Sequence, residues 1–238
     1  MEKTIQSLSS QAIRHLERLV SFNSVSHLSN LPIIEHIESY FASHGVHTLR
    51  VPSPDGLKSN LLAHIGPETA GGIVLSGHTD VVPVEGQAWD SDPFILTEKH
   101  EKLYGRGTCD MKGFIAVCLA MVPEFLQLKL SKPLYFAFSY DEEIGCVGVP
   151  HLLKYVKENL PAPAFAIIGE PTLMQVVSQP GSACGPSCSA HIALCTIRTT
   201  TQARARSSSN PAASTRVWNR RRTPSRTSAS CNGFCGPS

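Results

Sequence analysis

Acidic or imidazole side chains follow four segments of this chain, and this repetition constrains the fold more than any other feature. Three of the segments are short apolar runs typical of buried strands, and the fourth is a glycine-rich turn before an apolar helical stretch. Side chains at the carboxyl ends of strands in an open α/β sheet meet along one edge, where ligands bind. The segments and their side chains are residues 71–76 with His78 and Asp80, residues 105–109 with Asp110, residues 134–139 with Asp141, Glu142 and Glu143, and residues 164–168 with Glu170.

Periodic stripes of apolar side chains predict four helices around these strands. The second helix is expected to take Asn30 as its N-cap, and Pro123 is expected to bend or end the third. Strands and helices alternate between residues 60 and 170, which predicts a three-layer α/β core with a largely parallel sheet. The four stripes fall within residues 5–22, 30–45, 113–125 and 147–159.

The types of side chain at these strand ends indicate a metal centre. One imidazole with several carboxylates is the mixed nitrogen and oxygen ligand set of a hydrolytic zinc site, or of two metals that share a bridging carboxylate. A carboxylate outside the ligand set can act as a general base on water. Several acids at buried strand ends repel one another unless a cation offsets their charge. The pattern therefore favours metal-assisted hydrolysis.

Composition and length fit one soluble domain. The chain has 238 residues, of which 42% are hydrophobic, enough for one substantial core. No apolar run approaches the roughly 20 residues that span a bilayer. Charged residues interrupt the first twenty positions, so these lack the apolar core of a signal peptide. We therefore expect a cytoplasmic protein without a membrane partner.

Five motifs occur in a fixed order over roughly residues 5–179, namely SGHTDVVP, WDSDPF, LYGRGTCDMKG, DEE with a glycine two residues later, and IGEPT. In this order they resemble the zinc-dependent aminoacylase/carboxypeptidase superfamily. The resemblance implies a three-layer α/β/α zinc-exopeptidase-like catalytic core with a largely parallel mixed sheet over residues 1–179. It also implies that the family's lid and dimerisation domain is missing from this chain.

The resemblance implies two zinc positions at these motifs. His78 and Glu170 would bind one zinc, Glu143 would bind the other, and Asp110 would bridge both. The peptide bond between Asp110 and Met111 would be cis, a form that is rare before any residue other than proline. The family also uses a distant histidine near its carboxyl terminus, and this chain does not reach it.

Two further acids take catalytic roles by the same resemblance. Asp80 would orient His78, and Glu142 would be the general base that activates water and then protonates the departing amine. The first zinc position would be complete in this chain, whereas the second would retain only Asp110 and Glu143. Cobalt or manganese could replace zinc because carboxylate-rich sites accept several divalent ions.

The implied reaction is deacetylation of N2-acetyl-L-ornithine to L-ornithine and acetate, a step of arginine biosynthesis. Its substrate class is a small N-acylated amino acid, and intact relatives are expected to be homodimers. Two alternatives stay open. One is a hydrolase like the succinyl-diaminopimelate desuccinylases, which share these motifs. The other is that this chain is an inactive fragment that still binds one metal.

The composition changes abruptly near residue 180. All 19 acidic residues precede this point, whereas residues 180–238 carry eight arginines and many serines and threonines. Such a segment buries too little apolar surface to offset its ordering entropy and is predicted to be disordered. We favour out-of-frame translation and therefore expect no nucleic-acid partner. The alternatives are an arginine-rich arm at Arg204, Arg206 and residues 220–222, and a zinc knuckle at Cys184, Cys188, His191 and Cys195.

Overall fold

A computed structural model describes residues 2–172 together with the backbone of residues 178–179 and 191–194. Most of the segment 180–238, including its arginines and cysteines, therefore lies outside the described residues. The helices are α1 (Glu2–Val20), α2 (Leu31–Ser43), α3 (Lys112–Gln127) and α4 (Val149–Asn159). The strands are β1 (Thr48–Pro52), β2 (Ser59–Ile65), β3 (Ile73–His78), β4 (Thr97–Lys99), β5 (Lys102–Tyr104), β6 (Leu134–Ser139), β7 (Phe165–Ile168), β8 (Ser178–Gln179) and β9 (His191–Leu194).

Within the described residues, seven strands form one mixed sheet in the order β1-β2-β6-β3-β7-β9-β8. The central pairs β6-β3, β3-β7 and β7-β9 are parallel, whereas the flanking pairs are antiparallel. His78 of β3 pairs with Ser139 of β6, and Ser76 pairs with Ile168 of β7. The loops that follow these three strands therefore start side by side at one edge of the sheet.

Helices cover both faces of the sheet and confirm the three-layer α/β/α prediction. Helices α1, α2 and α3 bury the larger apolar cluster, in which Leu19, Ile37, Ile115 and Phe136 are fully buried. Helix α4 covers the other face with a smaller cluster around Leu152. Burying this apolar surface is the main favourable contribution to folding. Among the described helices, none is long and apolar enough to cross a membrane.

Two local expectations about the helices are met only in part. Asn30 precedes α2 but makes no capping hydrogen bond with its side chain. Its amide instead donates to the Ser59 carbonyl and the Thr79 hydroxyl, both at 2.9 Å, so it joins the start of β2 to the loop after β3. Pro123 does not end α3, which continues to Gln127.

Two histidines lie where α1 meets α2. The His15 ring contacts Tyr40 edge-on with centroids 4.5 Å apart, and the His36 ring lies 5.5 Å from that of Phe22. Burial lowers the pKa of His15, and the nearby His36 lowers it further. Burial also lowers the pKa of His36, with the Arg18 guanidinium acting in the same direction. Both imidazoles are therefore held in their neutral form in the folded chain.

The lowered pKa values of His15 and His36 should make the fold less stable in acid. The unfolded chain binds more protons than the folded chain once the pH falls below about 6.5, the ordinary histidine pKa, so the free energy of unfolding should fall from there toward the lower folded pKa values. Urea unfolding at neutral and mildly acidic pH measures this effect. The variant H15Q/H36Q should show a smaller loss, whereas H47Q, which changes an exposed histidine, should behave like the wild type. Equal pH dependence in all three chains would contradict the assignment.

Candidate metal centre

His78 is the buried centre of the predicted cluster. It closes β3, and its side chain is almost fully buried. Its Nδ1 lies 2.9 Å from the carbonyl oxygen of Asp80, which can only accept a hydrogen bond, so Nδ1 carries a proton. The Asp80 carboxylate lies 3.5 Å from the same nitrogen. These contacts fix the ring and turn Nε2 toward the acids of the neighbouring loops.

Two of the predicted ligands meet His78 at this edge of the sheet. Nε2 of His78 lies 3.1 Å from Oδ1 of Asp110 and 3.9 Å from Oε1 of Glu170. Each of the three residues offers one ligand atom, and these atoms all lie within 4.8 Å of one another. The structure thus brings together the three residues that the sequence predicts for one metal position. The peptide bond between Asp110 and Met111 is cis, which confirms that expectation.

The turn after β6 carries the other two predicted site residues. Oε2 of Glu142 lies 3.8 Å from Nε2 of His78, so its carboxylate faces the same space as the ligand atoms. Glu143 is partly buried and is not a member of the three-residue group found in the described part of the chain. The backbone N–H groups of Glu142 and Glu143 donate to the Asp80 carboxylate at 3.1 and 3.2 Å. Asp80 therefore supports both the imidazole and this turn.

The electrostatics of the cluster favour a bound cation. Burial opposes the charged imidazole of His78, but hydrogen bonds to Asp110 and Asp80 outweigh it and raise the pKa of His78 to about 11. Burial, reinforced by the charges of Asp110, Glu142 and Glu143, raises the pKa of Glu170 to about 7. Positive charge is therefore strongly stabilised where the acids crowd together. Because the donors are also one imidazole and several carboxylates, the residues fit a divalent metal ion such as zinc.

A buried glycine sets the position of Glu170. Gly169 follows β7, and its N–H donates to the Ser76 carbonyl of β3 at 3.2 Å. A Cβ on Gly169 would lie 2.0 Å from Cγ of Phe114, far inside contact distance. The absent side chain lets the Phe114 ring of α3 pack directly against the backbone that precedes Glu170.

Three supporting residues near the site had no clear signal in the sequence. The Ser26 hydroxyl donates to Oδ2 of Asp80 at 2.7 Å, and Nζ of Lys58 lies 2.6 Å from both carboxylate oxygens of Asp141. A lysine at the start of a helix usually points to water, but Lys112 does not. It is 0% exposed, and its Nζ donates to the Phe22 carbonyl at 2.8 Å. The fold alone brings Ser26 and Lys58 to the cluster, whereas Lys112 is close to Asp110 in sequence.

An imidazole and carboxylates at the carboxyl edge of a three-layer α/β/α sheet are the arrangement expected of a metal-dependent hydrolase. Residues 74–228, more than half of the chain, match the family described as Peptidase family M20/M25/M40. The chain belongs to this family.

Among curated proteins, the chain is similar to acetylornithine deacetylases. It is 45% identical to the one from Pectobacterium carotovorum subsp. carotovorum (strain PC1) over 151 residues, which are 63% of this chain and 38% of that protein. It is also 45% identical to the one from Yersinia pseudotuberculosis serotype I (strain IP32953) over 155 residues, 63% of this chain and 39% of that protein. The matched region thus spans about two fifths of the length of these relatives.

Solved structures support the fold. Human carnosine dipeptidase 1 superposes with a TM-score of 0.64 at 24% identity, over 75% of this chain and 43% of that one. The M20 family metallo-carboxypeptidase Sso-CP2 from Sulfolobus solfataricus gives a TM-score of 0.58 at 21% identity, over 66% of this chain and 37% of that one. The α/β architecture around the site is therefore that of the family.

Proposed function

We propose that this chain carries the site of a metal-dependent amide hydrolase that removes the acetyl group from N2-acetyl-L-ornithine. The observation that carries the hydrolase is the convergence of His78, Asp110 and Glu170, with the Glu142 carboxylate 3.8 Å from the imidazole. The substrate rests on the 45% identity to acetylornithine deacetylases. By the same likeness, the domain covers residues 1–179, and the enzyme acts in arginine biosynthesis in the cytoplasm.

The proposed mechanism assigns one task to each acid. His78, Asp110 and Glu170 would hold one zinc, while Asp110 and Glu143 would contribute to a second position. When bound, zinc polarises the substrate carbonyl and makes water more acidic. Glu142 accepts a proton from the attacking water and delivers it to the departing amine nitrogen. The carbonyl and carboxylate of Asp80 hold the imidazole in place.

Zinc analysis and substrate turnover by the 238-residue chain test this proposal. We expect zinc to bind at the first position, where the described residues His78, Asp110 and Glu170 come together. Release of ornithine from N2-acetyl-L-ornithine should be slow and should disappear in E142Q, which keeps the shape of the side chain but cannot accept the proton.

Each part of the proposal has its own contrary result. Faster hydrolysis of N-succinyl-diaminopimelate would replace the substrate with that of the desuccinylases. A chain that binds no zinc would contradict the metal centre, and unchanged turnover in E142Q would remove Glu142 from its role.

A further inference from the structure

We propose that Lys58 is a positioning residue that holds the turn bearing Glu142 and Glu143 against the metal centre. Lys58 lies just before β2 and belongs to none of the motifs that mark the site. Its importance for catalysis rests on the proposed function, because Glu142 and Glu143 have catalytic roles only within that proposal. Its effect on the turn is a property of this chain and can be measured without metal or substrate.

Lys58 has a buried and well-defined set of partners. Its Nζ lies 2.6 Å from both Oδ1 and Oδ2 of Asp141 and also donates to the carbonyl oxygen of Ser26. The side chains of Lys58 and Asp141 are only 15% and 9% exposed. An ion pair with this little solvent is broken at a high cost, since removal of one partner leaves the other charge buried and unpaired. Lys58 therefore fixes the place of Asp141 far more firmly than a surface lysine would.

Asp141 is the first of three acids in the turn after β6, which we call the acidic turn. Its fixed position restricts the two residues that follow, Glu142 and Glu143. Its backbone has a φ of +55°, a conformation that residues other than glycine rarely adopt. The Val147 N–H donates to the Asp141 carbonyl, and two amides donate to the Glu142 carbonyl, which closes the turn. With the Asp141 side chain anchored and its backbone closed, Glu142 and Glu143 leave the turn in one direction.

Lys58 also contacts Ser26, the residue whose hydroxyl supports the Asp80 carboxylate. Ser26 accepts from Lys58 through its carbonyl oxygen and donates through its hydroxyl to Oδ2 of Asp80 at 2.7 Å. The same carboxylate accepts the N–H groups of Glu142 and Glu143. Lys58 thus contacts both ends of one hydrogen-bonded chain that runs from Asp141 to Ser26 through the turn and Asp80. Loss of its ammonium group should loosen the two glutamate amides first.

Amide hydrogen exchange followed by NMR on the full metal-free chain tests this inference. In K58M, the amides of Glu142 and Glu143 should exchange at least about tenfold faster, since their protection depends on local opening of the turn. The amides of strand β6 should change much less. The control is K132M, which removes an exposed lysine that donates to the Ala70 carbonyl and lies far from the acidic turn. It should leave both sets of amides unchanged.

A second variant separates positioning from loss of stability. K58M/D141N removes both charges, so no buried charge is left unpaired, and asparagine tolerates the left-handed backbone. This variant should unfold at a denaturant concentration closer to the wild type than K58M does, yet Glu142 and Glu143 should still exchange faster. Unchanged exchange at these two amides in both variants would overturn the inference. Equal acceleration at β6 would also overturn it, because Lys58 would then act only on global stability.

The proposed function is tested separately by titration of the wild-type chain with Co²⁺, followed by its visible absorption. Absence of any Co²⁺ spectrum would contradict the metal centre and leave the exchange result standing. A Co²⁺ spectrum together with unchanged exchange in the variants would contradict the role of Lys58 alone.

Discussion

Replacement of His78 by glutamine is expected to weaken Zn²⁺ or Co²⁺ binding by at least about 100-fold, since even residues that only support a metal ligand contribute 10- to 100-fold to affinity. His78 is the one nitrogen donor in the three-residue group, and its Nε2 lies 3.1 Å from Oδ1 of Asp110 and 3.9 Å from Oε1 of Glu170. Glutamine is similar in length but is a much weaker metal ligand. Competition with a zinc-binding dye measures the change in affinity.

H64Q is the matched control for this variant. His64 lies on β2, is partly buried, and approaches Glu68 rather than the cluster. H64Q should therefore keep wild-type affinity, and circular dichroism should show that both variants retain the fold. Equal affinity in H78Q and the wild type would show that the cluster is not the metal site.

Replacement of Gly169 by alanine is expected to destabilise the fold by about 3 kcal/mol, the upper end of the usual cost of overpacking a core. The new Cβ would lie 2.0 Å from Cγ of Phe114, which is close to the backbone of α3 and cannot move far without moving the helix. Either the ring or the strand end must shift, and a shift of the strand end carries Glu170 with it. Urea unfolding measures the loss of stability.

Removal of the Phe114 ring tests whether its clash with the new Cβ causes the loss of stability in G169A. In F114A the space beside Gly169 is empty, so the further change G169A should cost less than about 1 kcal/mol, and the two substitutions should be strongly non-additive. Additive effects would place the strain elsewhere. Zinc affinity should fall in G169A because Glu170 is displaced, and the double variant should recover part of it.

The sequence is most informative where local pattern decides the structure. Strand β6 has the bounds that the apolar run predicts, and the centre of the sheet is parallel as the alternation of strands and helices indicates. The approach of His78 to Glu170 was predictable for the same reason, whereas Asp110 follows a glycine-rich turn and its place beside them was implied by the family resemblance. Parallel strands that end together place their following loops side by side, whatever the rest of the chain does.

The remaining features depend on contacts between residues far apart in sequence. Asn30 has the residue type of a helix cap, but Ser59 and Thr79 offer its side chain better partners across the fold. Lys112 stands at a helix start, where lysine usually reaches water, yet the Phe22 carbonyl accepts from it inside the core. No periodic pattern marks such pairings, because they arise only after α1, β2 and the sheet have packed together.

The register of the central strands links the chemistry of the site to the order in which the molecule folds. The paired ends of β3 and β6 come from residues 78 and 139, and the loop after β7 adds residue 170. Contacts across such long stretches of sequence have a high entropic cost of loop closure, so they form slowly. An ion bound by His78, Asp110 and Glu170 would therefore report that the middle of the sheet has closed, and it would stabilise that closed state by a free energy that rises with the logarithm of its free concentration. Metal binding at this cluster would therefore shift the folding equilibrium of the sheet.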